Sequence, residues 1–351
     1  MGLLEFYKGK SVFITGHTGF KGAWLCKILS NAGANITGYS LDPPTQPNLF
    51  SLIQSDKRMR TVTGDVRDLQ SLLECMRESQ AEIAIHLAAQ PIVRASFAEP
   101  RLTYETNVMG TVNFLEAIRA CDTVKSVVNV TTDKVYENKE WIWGYRENDT
   151  LNGFDPYSNS KSCSELVTHC YKASFLGAKE ISVSTTRAGN VIGGGDFAAD
   201  RIIPDCVRAA LGSKMIHVRN PDSIRPYQHV LEALGAYLLI AKAQYENLQF
   251  EGEYNVGPNE EDIITTGDLA QLFCELWGAG VKVDYETSNG PHETGRLRLD
   301  CSKIKSLLGW RPKWNIETAL EKTIEWSKAY SLDSNINGIM DEQIRAYFVE
   351  D

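Results

Sequence analysis

The sequence has no run of eighteen apolar residues, so no stretch of it is long enough to cross a bilayer as a helix. Its first residues, MGLLEFYKGK, lack the apolar core of a secretory signal, and the expected location is the cytoplasm. Eight cysteines (26, 75, 121, 163, 170, 206, 274 and 301) form no CxxC pair, which argues against a disulfide framework or a zinc cluster. Six histidines show no HxxxH spacing and no grouping with cysteine, so no metal site is expected. Positive charge is also short: 36 Lys and Arg stand against 45 Asp and Glu, a formal net charge of −9. That balance excludes general binding to nucleic acid or anionic membranes. An anionic ligand would need a local cluster of arginines. No internal repeat or low-complexity segment is present.

The 351 residues, 43% of them hydrophobic, suffice for one large α/β domain and a smaller lobe. Strand patterns fall at 11–15, 35–41, 59–64, 82–88, 126–131 and 182–187. Helix patterns fall at 20–33, 68–80, 101–120 and 158–176. The alternation predicts an α/β fold with a doubly wound parallel sheet of Rossmann type and a smaller mixed α/β lobe. The expected division is 1–187 for the dinucleotide domain, completed by about 230–257. The lobe takes 188–229 and 258–351. An apolar helix at 230–246 and a strand at 253–257 should return to the main domain.

The stretch SVFITGHTGFKG, Ser11–Gly22, runs a short apolar strand into a GxxGxxG turn and an apolar helix. Gly16 makes the turn, Gly19 lets backbone approach a pyrophosphate, and Gly22 lets the helix pack on the sheet. The helix start, with His17 and Phe20 beside the glycines, presents free N–H groups to phosphates. Asp42 follows the second strand, twenty residues past Gly22. A carboxylate there binds ribose hydroxyls and repels a 2′-phosphate, so NAD is the expected cofactor. Asp65 and Val66 end the third strand, where the acid reaches an adenine amino group or starts the next helix. Leu87, Ala88 and Ala89 end the fourth, small enough for cofactor contact. His86 reads as a core histidine. Asn107 either holds a neighbouring backbone or lies on a helix surface.

Thr131–Lys134 stands at the carboxyl end of the fifth strand, where open α/β sheets bind ligands. Tyr157 and Lys161 follow at YxxxK spacing, one helical turn apart on one face. A phenol is a poor base at neutral pH, and an ammonium beside it stabilises the phenolate. Thr132 can hydrogen-bond the same reacting hydroxyl.

On GHTGFKG, GDV, HLAAQ, NVMGT, TTDKVY and YSNSK, the chain resembles the extended short-chain dehydrogenase/reductase family over nearly its whole length. Within that family it is most similar to the nucleotide-sugar 4,6-dehydratases. TTDKVYENKEW, GHTGFKGAWL and SLDPP resemble members acting on CDP-D-glucose. The resemblance implies transient oxidation at C4 by bound NAD, loss of water across C5–C6 and return of the hydride to C6. It also implies a role in deoxysugar and surface-polysaccharide synthesis. Asp133 matches the family's acid, but Lys134 replaces the glutamate that follows it. Lys134 is then the candidate base at C5, or a carboxylate such as Glu137 is. His17 and Lys21 replace small and apolar residues of the glycine turn.

By the same resemblance, Asn190 lies at the sugar–phosphate junction, and Arg201, Arg225 and Arg296 face the diphosphate or the nucleotide. Arg219 joins the cationic cluster without a clear counterpart, and each arginine alone could equally be solvated. The loop 137–155 covers the sugar or packs on the lobe. His292 and Glu293 depart from the thymidine-type pattern. Family members pair helices across a two-fold, here near 101–120 and 158–176, so a homodimer or tetramer is expected. Two rivals stand beside the dehydratase: a nucleotide-sugar 4-epimerase, and a non-catalytic dinucleotide sensor on the same fold.

Overall fold

A computed structural model describes residues 2–53, 59–278, 280–285 and 295–348. Seven parallel strands form the central sheet: β1 (Ser11–Thr15), β2 (Asn35–Ser40), β3 (Met59–Thr63), β4 (Ile83–His86), β5 (Ser126–Val130), β6 (Ser182–Ala188) and β7 (Glu253–Val256). Their order is β7-β6-β5-β4-β1-β2-β3. The order reverses between β1 and β4, and ligands bind at that crevice in such sheets. The nine longer helices used below are α1 (Phe20–Asn31), α2 (Leu69–Ser79), α3 (Gly110–Arg119), α4 (Pro156–Tyr171), α5 (Ile202–Leu211), α6 (Val230–Glu246), α7 (Thr266–Trp277), α8 (Ile316–Ser331) and α9 (Ile336–Phe348).

Period-two alternation splits the strand side chains between two cores. Val12, Ile14, Ile83, Ile85, Val128 and Val130 join α1 and α6 on one face. Phe13, Ala84 and Val127 join α2 and α3 on the other. Helix α6 is buried almost all round and packs on β5, β6 and α1, while β7 pairs with β6 in register Tyr254↔Thr186. A third cluster, with Ile203, Cys206, Leu269, Phe273, Leu320 and Ile324, is formed by α5, α7 and α8. The C-terminal helix α9, expected with the lobe, instead sends Met340, Ile344 and Tyr347 into the first core beside α6. Tyr347 Oη donates to Glu232 on α6 at 2.7 Å.

The observed strands and helices stop one to three residues inside several expected bounds. Two long helices are interrupted. The 101–120 pattern divides into Pro100–Tyr104, a π turn at Glu105–Met109, and α3. The 158–176 pattern is α4 followed by a second π turn at Lys172–Leu176. The first π turn carries Asn107, whose side chain accepts from Gln90 N and donates to Gln90 O and Ser160 Oγ. Asn107 therefore holds the backbone after β4, and such bulges recur at functional sites. Asp68, not Asp65, caps α2 by accepting from Ser71 N.

Candidate active site

The glycine turn is set by close approaches. Gly16 has φ +74, and a Cβ there would lie 2.6 Å from Ala88 N; one on Gly22 would lie 2.2 Å from Gly16 O. Both positions are closed to any side chain. A Cβ on Gly19 would meet only Gly16 O, at 3.5 Å, so its approach side is open. Gly19 precedes α1 and no side chain caps that helix end. Its first N–H groups thus face an open approach, which fits a pyrophosphate. Thr15 ties the turn to the segment after β4: its Oγ1 lies 2.7 Å from His86 Nδ1 and accepts from Leu87 N and Ala88 N. Leu87, Ala88 and Ala89 are half-buried beside it. Thr18 Oγ1 donates to Leu41 O and contacts Ser40 Oγ, tying the turn to the end of β2. Asp42 follows that end and is exposed.

The reacting groups sit across the crevice, at the carboxyl end of β5. Thr132 caps a one-turn helix, Asp133–Val135, by accepting from Lys134 N. Its Oγ1 also donates to Asp133 Oδ1 at 2.9 Å. Asp133 is 1% exposed. Burial raises its carboxyl pKa above the usual range, against the opposing charge of Lys134 and the hydrogen bond from Thr132. Helix α4 starts at Pro156 under an Asp155 cap, which puts Tyr157 at its first turn facing Thr132. Burial pushes the Tyr157 phenol up to about 12, and Thr132 opposes that rise. Lys161 is 3% exposed, and burial lowers its ammonium to about 8, with Glu165 opposing. The hydrogen bond Lys161 makes is to Val130 O, at 3.1 Å. Thr132 is the group that most opposes the rise of the Tyr157 phenol, and the Lys161 ammonium is held on the strand. A buried acid, phenol and ammonium and the half-buried Lys134 therefore gather at the carboxyl end of β5, on the side of the glycine turn.

A sequence model described as GDP-mannose 4,6 dehydratase matches residues 13–323. The chain belongs to that family. It is 45% identical to a CDP-glucose 4,6-dehydratase of Salmonella typhimurium over 332 residues, covering 93% of this chain and 92% of that one. It is 28% identical to a dTDP-glucose 4,6-dehydratase of Streptomyces antibioticus over 289 residues, 82% and 81% of the two chains. Among solved structures, the epimerase Mth375 of Methanothermobacter thermautotrophicus superposes with TM-score 0.83 at 21% identity, covering 94% and 96%. A dTDP-glucose 4,6-dehydratase of Bacillus anthracis in complex with NAD superposes with TM-score 0.77 at 22% identity, covering 93% and 99%. At such identities the two structures speak to the fold alone.

Within this dehydratase family frame, several expected residues take other partners. His17 is fully buried and turns away from the approach side. Its ring lies edge-on to Phe50 and fills the space over Gly38, where a Cβ would come within 2.4 Å of it. Burial lowers its pKa to about 4, so the turn carries no imidazolium and only the His17 backbone faces a ligand. Lys21 is the cation that remains, and burial with the charges of Lys161 and Arg201 lowers it to about 7. Those charges, with the pull of Asp133, put Lys21 on the same side as Lys161 and Arg201. Phe20 packs near Gly193. The Asp65 carboxylate accepts from Arg67 N, Nε and Nη2, so Arg67 already occupies the group expected at adenine; Val66 is buried behind it, against Gly110.

On the lobe side, Arg201 acts on Tyr157 and Lys21 and pairs with buried Asp196 at 2.9 Å. Arg225 is 7% exposed, donates to Ile224 O and acts on Asp133. Asn190 stands half-buried, its carbonyl accepting from Gln228 N, and Arg296 bridges to Ile224 through its backbone. Of these four, Arg201 and Arg225 bear on the charges of Tyr157, Lys21 and Asp133, while Asn190 and Arg296 are fixed through backbone bonds to 224–228. Arg219 does not join them: it lies at the surface, sharing Asp200 with Arg94. The loop with Trp141, Trp143 and Tyr145 packs on 295–300, with Tyr145 paired to Leu299, and its tryptophans line a separate cavity of about 540 Å³. His292 and Glu293 lie outside the described residues. Sequence reasoning missed Thr18, Arg187 and Glu165. Only Glu165 left a signal, its position one turn beyond Lys161.

Proposed function

We propose that the chain converts CDP-D-glucose to CDP-4-keto-6-deoxy-D-glucose on bound NAD+. The observation that carries this is the buried Asp133 carboxyl, its pKa raised by burial, next to Thr132 and within the electrostatic reach of Tyr157. A 4-epimerase has no leaving hydroxyl to protonate, so it has no use for such an acid. The 45% identity to a protein that bears this activity in its name supports the same choice.

The residues fit the cofactor: the open side of Gly19, the uncapped start of α1 and the exposed Asp42 would hold pyrophosphate and ribose. Bound there, the nicotinamide supplies an acceptor for the C4 hydride and a donor for C6. Tyr157, whose phenol is raised by burial and would be lowered again by the positive ring of bound NAD+, takes the proton of the sugar 4-hydroxyl as the phenolate, with Thr132 hydrogen-bonding the same oxygen. The 4-ketone acidifies the C5 hydrogen, and Lys134 removes it. Asp133 gives its proton to the 6-hydroxyl as the C6–O bond breaks and water leaves. Lys134 then returns its proton to C5. Tyr157 ends with one proton more and Asp133 with one fewer, and exchange with solvent resets both. The Lys134 charge is the first of the groups that oppose the rise of the Asp133 carboxyl, before Thr132 and Arg225. Asn190, Arg201, Arg225 and Arg296 would take the sugar and diphosphate.

The division into a dinucleotide domain and a substrate lobe follows the same logic, with the pocket between β5 and α5. Met109, Leu166 and Phe175 are large exposed apolar side chains beside α3 and on and after α4, and they support a dimer through those helices. No described helix is long and apolar enough to cross a membrane; a cytoplasmic enzyme of deoxysugar synthesis suits that.

Incubation with CDP-, dTDP-, GDP- and UDP-glucose tests the reading. A 4-keto-6-deoxy product from CDP-glucose, with C4 deuterium recovered at C6, supports it. C4 inversion marks an epimerase, and no turnover of any sugar marks the sensor.

A further inference from the structure

Four buried hydrogen bonds converge on α4 just below the reacting groups. Lys161 Nζ donates to Val130 O. Glu165, one turn further along the same helix face, accepts from Thr131 Oγ1 through one oxygen. Its other oxygen accepts from Thr185 Oγ1 at 2.6 Å and from Arg187 Nη2 at 2.9 Å. Glu165 and Arg187 are 1% and 2% exposed. Arg187 goes on to Tyr136 Oη and to the Glu147 carbonyl. The carboxylate thus joins α4, the end of β5 and β6 at one point, and Thr131 is bonded directly to Thr132.

We propose that Glu165 is a positioning residue for the reaction: its carboxylate fixes the Thr131–Thr132–Asp133 turn against Tyr157 and Lys161. This rests on the dehydratase reading above. A buried ion pair is a poor source of stability, because desolvation offsets its Coulomb attraction. Its retention at this point is better explained by geometry. One of the carboxylate's bonds ends on Thr131, beside the reacting turn, and the other two end on β6, the strand paired with β5.

The carboxylate also acts on Lys161 through charge. The titratable groups coupled to Lys161 are Glu165 on its own helix, Lys21 from α1 and His86 from β4; Tyr157 stands a turn before it on α4, Asp133 and Lys134 follow β5, whose Val130 O holds its ammonium, and Arg187 from β6 pairs with Glu165. Burial keeps His86 neutral. The charged residues of the helices over 93–119 pair among themselves or with Asp200, or face solvent. Glu165 is the charge that holds the Lys161 proton on.

The test is the pH dependence of CDP-glucose dehydration by Glu165→Gln, which keeps the shape and removes the charge. The expected result is a kcat at least tenfold lower, a KM within threefold, and an alkaline limb moved down by at least half a pH unit. Glu165→Asp keeps the charge and should restore the limb. Glu165→Gln strands a buried guanidinium, so the double variant Glu165→Gln/Arg187→Met replaces it if the single one fails to fold, with the same limb shift expected. A folded variant with the wild-type limb, or with kcat within threefold, overturns the proposal. Wild-type protein that turns over no CDP-glucose instead overturns the dehydratase reading.

Discussion

Thr132 Oγ1 donates to Asp133 Oδ1 across 2.9 Å, and Asp133 Oδ2 is buried with no hydrogen-bond partner among the described residues. The two carboxyl oxygens are therefore unequal. Oδ1 is committed as an acceptor, which leaves the proton to Oδ2. A buried oxygen without a partner costs stability. Its natural partner is the hydroxyl that must leave the sugar.

Asp133→Asn should keep cofactor binding and lose dehydration by on the order of 10²- to 10⁴-fold, the usual worth of a general acid. It should also raise the melting temperature at pH 7. A carboxyl with a raised folded pKa binds more protons folded than unfolded as pH climbs past the unfolded value, so wild-type stability falls there. The asparagine has no such loss, so the gain should vanish well below pH 4. Thermal denaturation at the two pH values, beside product assays, checks both halves.

Lys161 sets an alkaline limit. Its ammonium, lowered to about 8, loses its proton as pH rises through that value in the cofactor-free protein. The kcat/KM profile should fall above pH 8, and Lys161→Met should remove most activity together with that limb. A flat profile to pH 10 in wild type would assign the charge to another group.

Lys134→Ala should retain NAD binding and abolish C5 hydrogen exchange with solvent deuterium, followed by mass spectrometry of recovered sugar. Exchange at the wild-type rate would move the base elsewhere, with Glu137 the next residue to test.

The order of strands and helices was legible because period-two strands and apolar helices alternate plainly along the chain. The glycine turn and YxxxK were legible because each is a local spacing. What escaped was long-range. Arg187 and Glu165 lie twenty-two positions apart; Glu165 shows only as an acid one turn beyond Lys161, and nothing near Arg187 announces its partner. Helix α4 hid its inward face because that face is polar: Ser158, Ser160, Ser162, Ser164, Glu165 and Thr168 are buried, while Leu166 is out in solvent. The π turn at Glu105–Met109 was invisible because its cause, Asn107 reaching to Gln90, is tertiary. His17 stood in the turn by sequence alone, and only the missing side chain of Gly38, on β2, shows where its ring goes.

The three glycines of the turn should separate by function. Gly19→Ala should fold with stability within about 0.5 kcal/mol of wild type, as for an ordinary surface change. Its new methyl meets only Gly16 O, yet it stands on the approach side, so NAD affinity should fall at least tenfold by titration calorimetry. Gly22→Ala should fail earlier, at folding, because its Cβ would overlap Gly16 O at 2.2 Å.

The inward turn of His17 is testable without any ligand. Gly38→Ala would set a methyl 2.4 Å from His17 Cγ, so it should destabilise by roughly 1–3 kcal/mol, the cost of overpacking. His17→Ala should also destabilise, because it empties space against Phe50. In the double variant the new methyl occupies part of the room the ring left. The two losses should then sum to more than the double variant shows, with a coupling of roughly 0.5–3 kcal/mol in urea denaturation. Additive losses would mean that the ring lies elsewhere, and an imidazole facing the phosphates would return as the reading. With pKa near 4, His17 should also leave NAD affinity free of any histidine titration between pH 5.5 and 8.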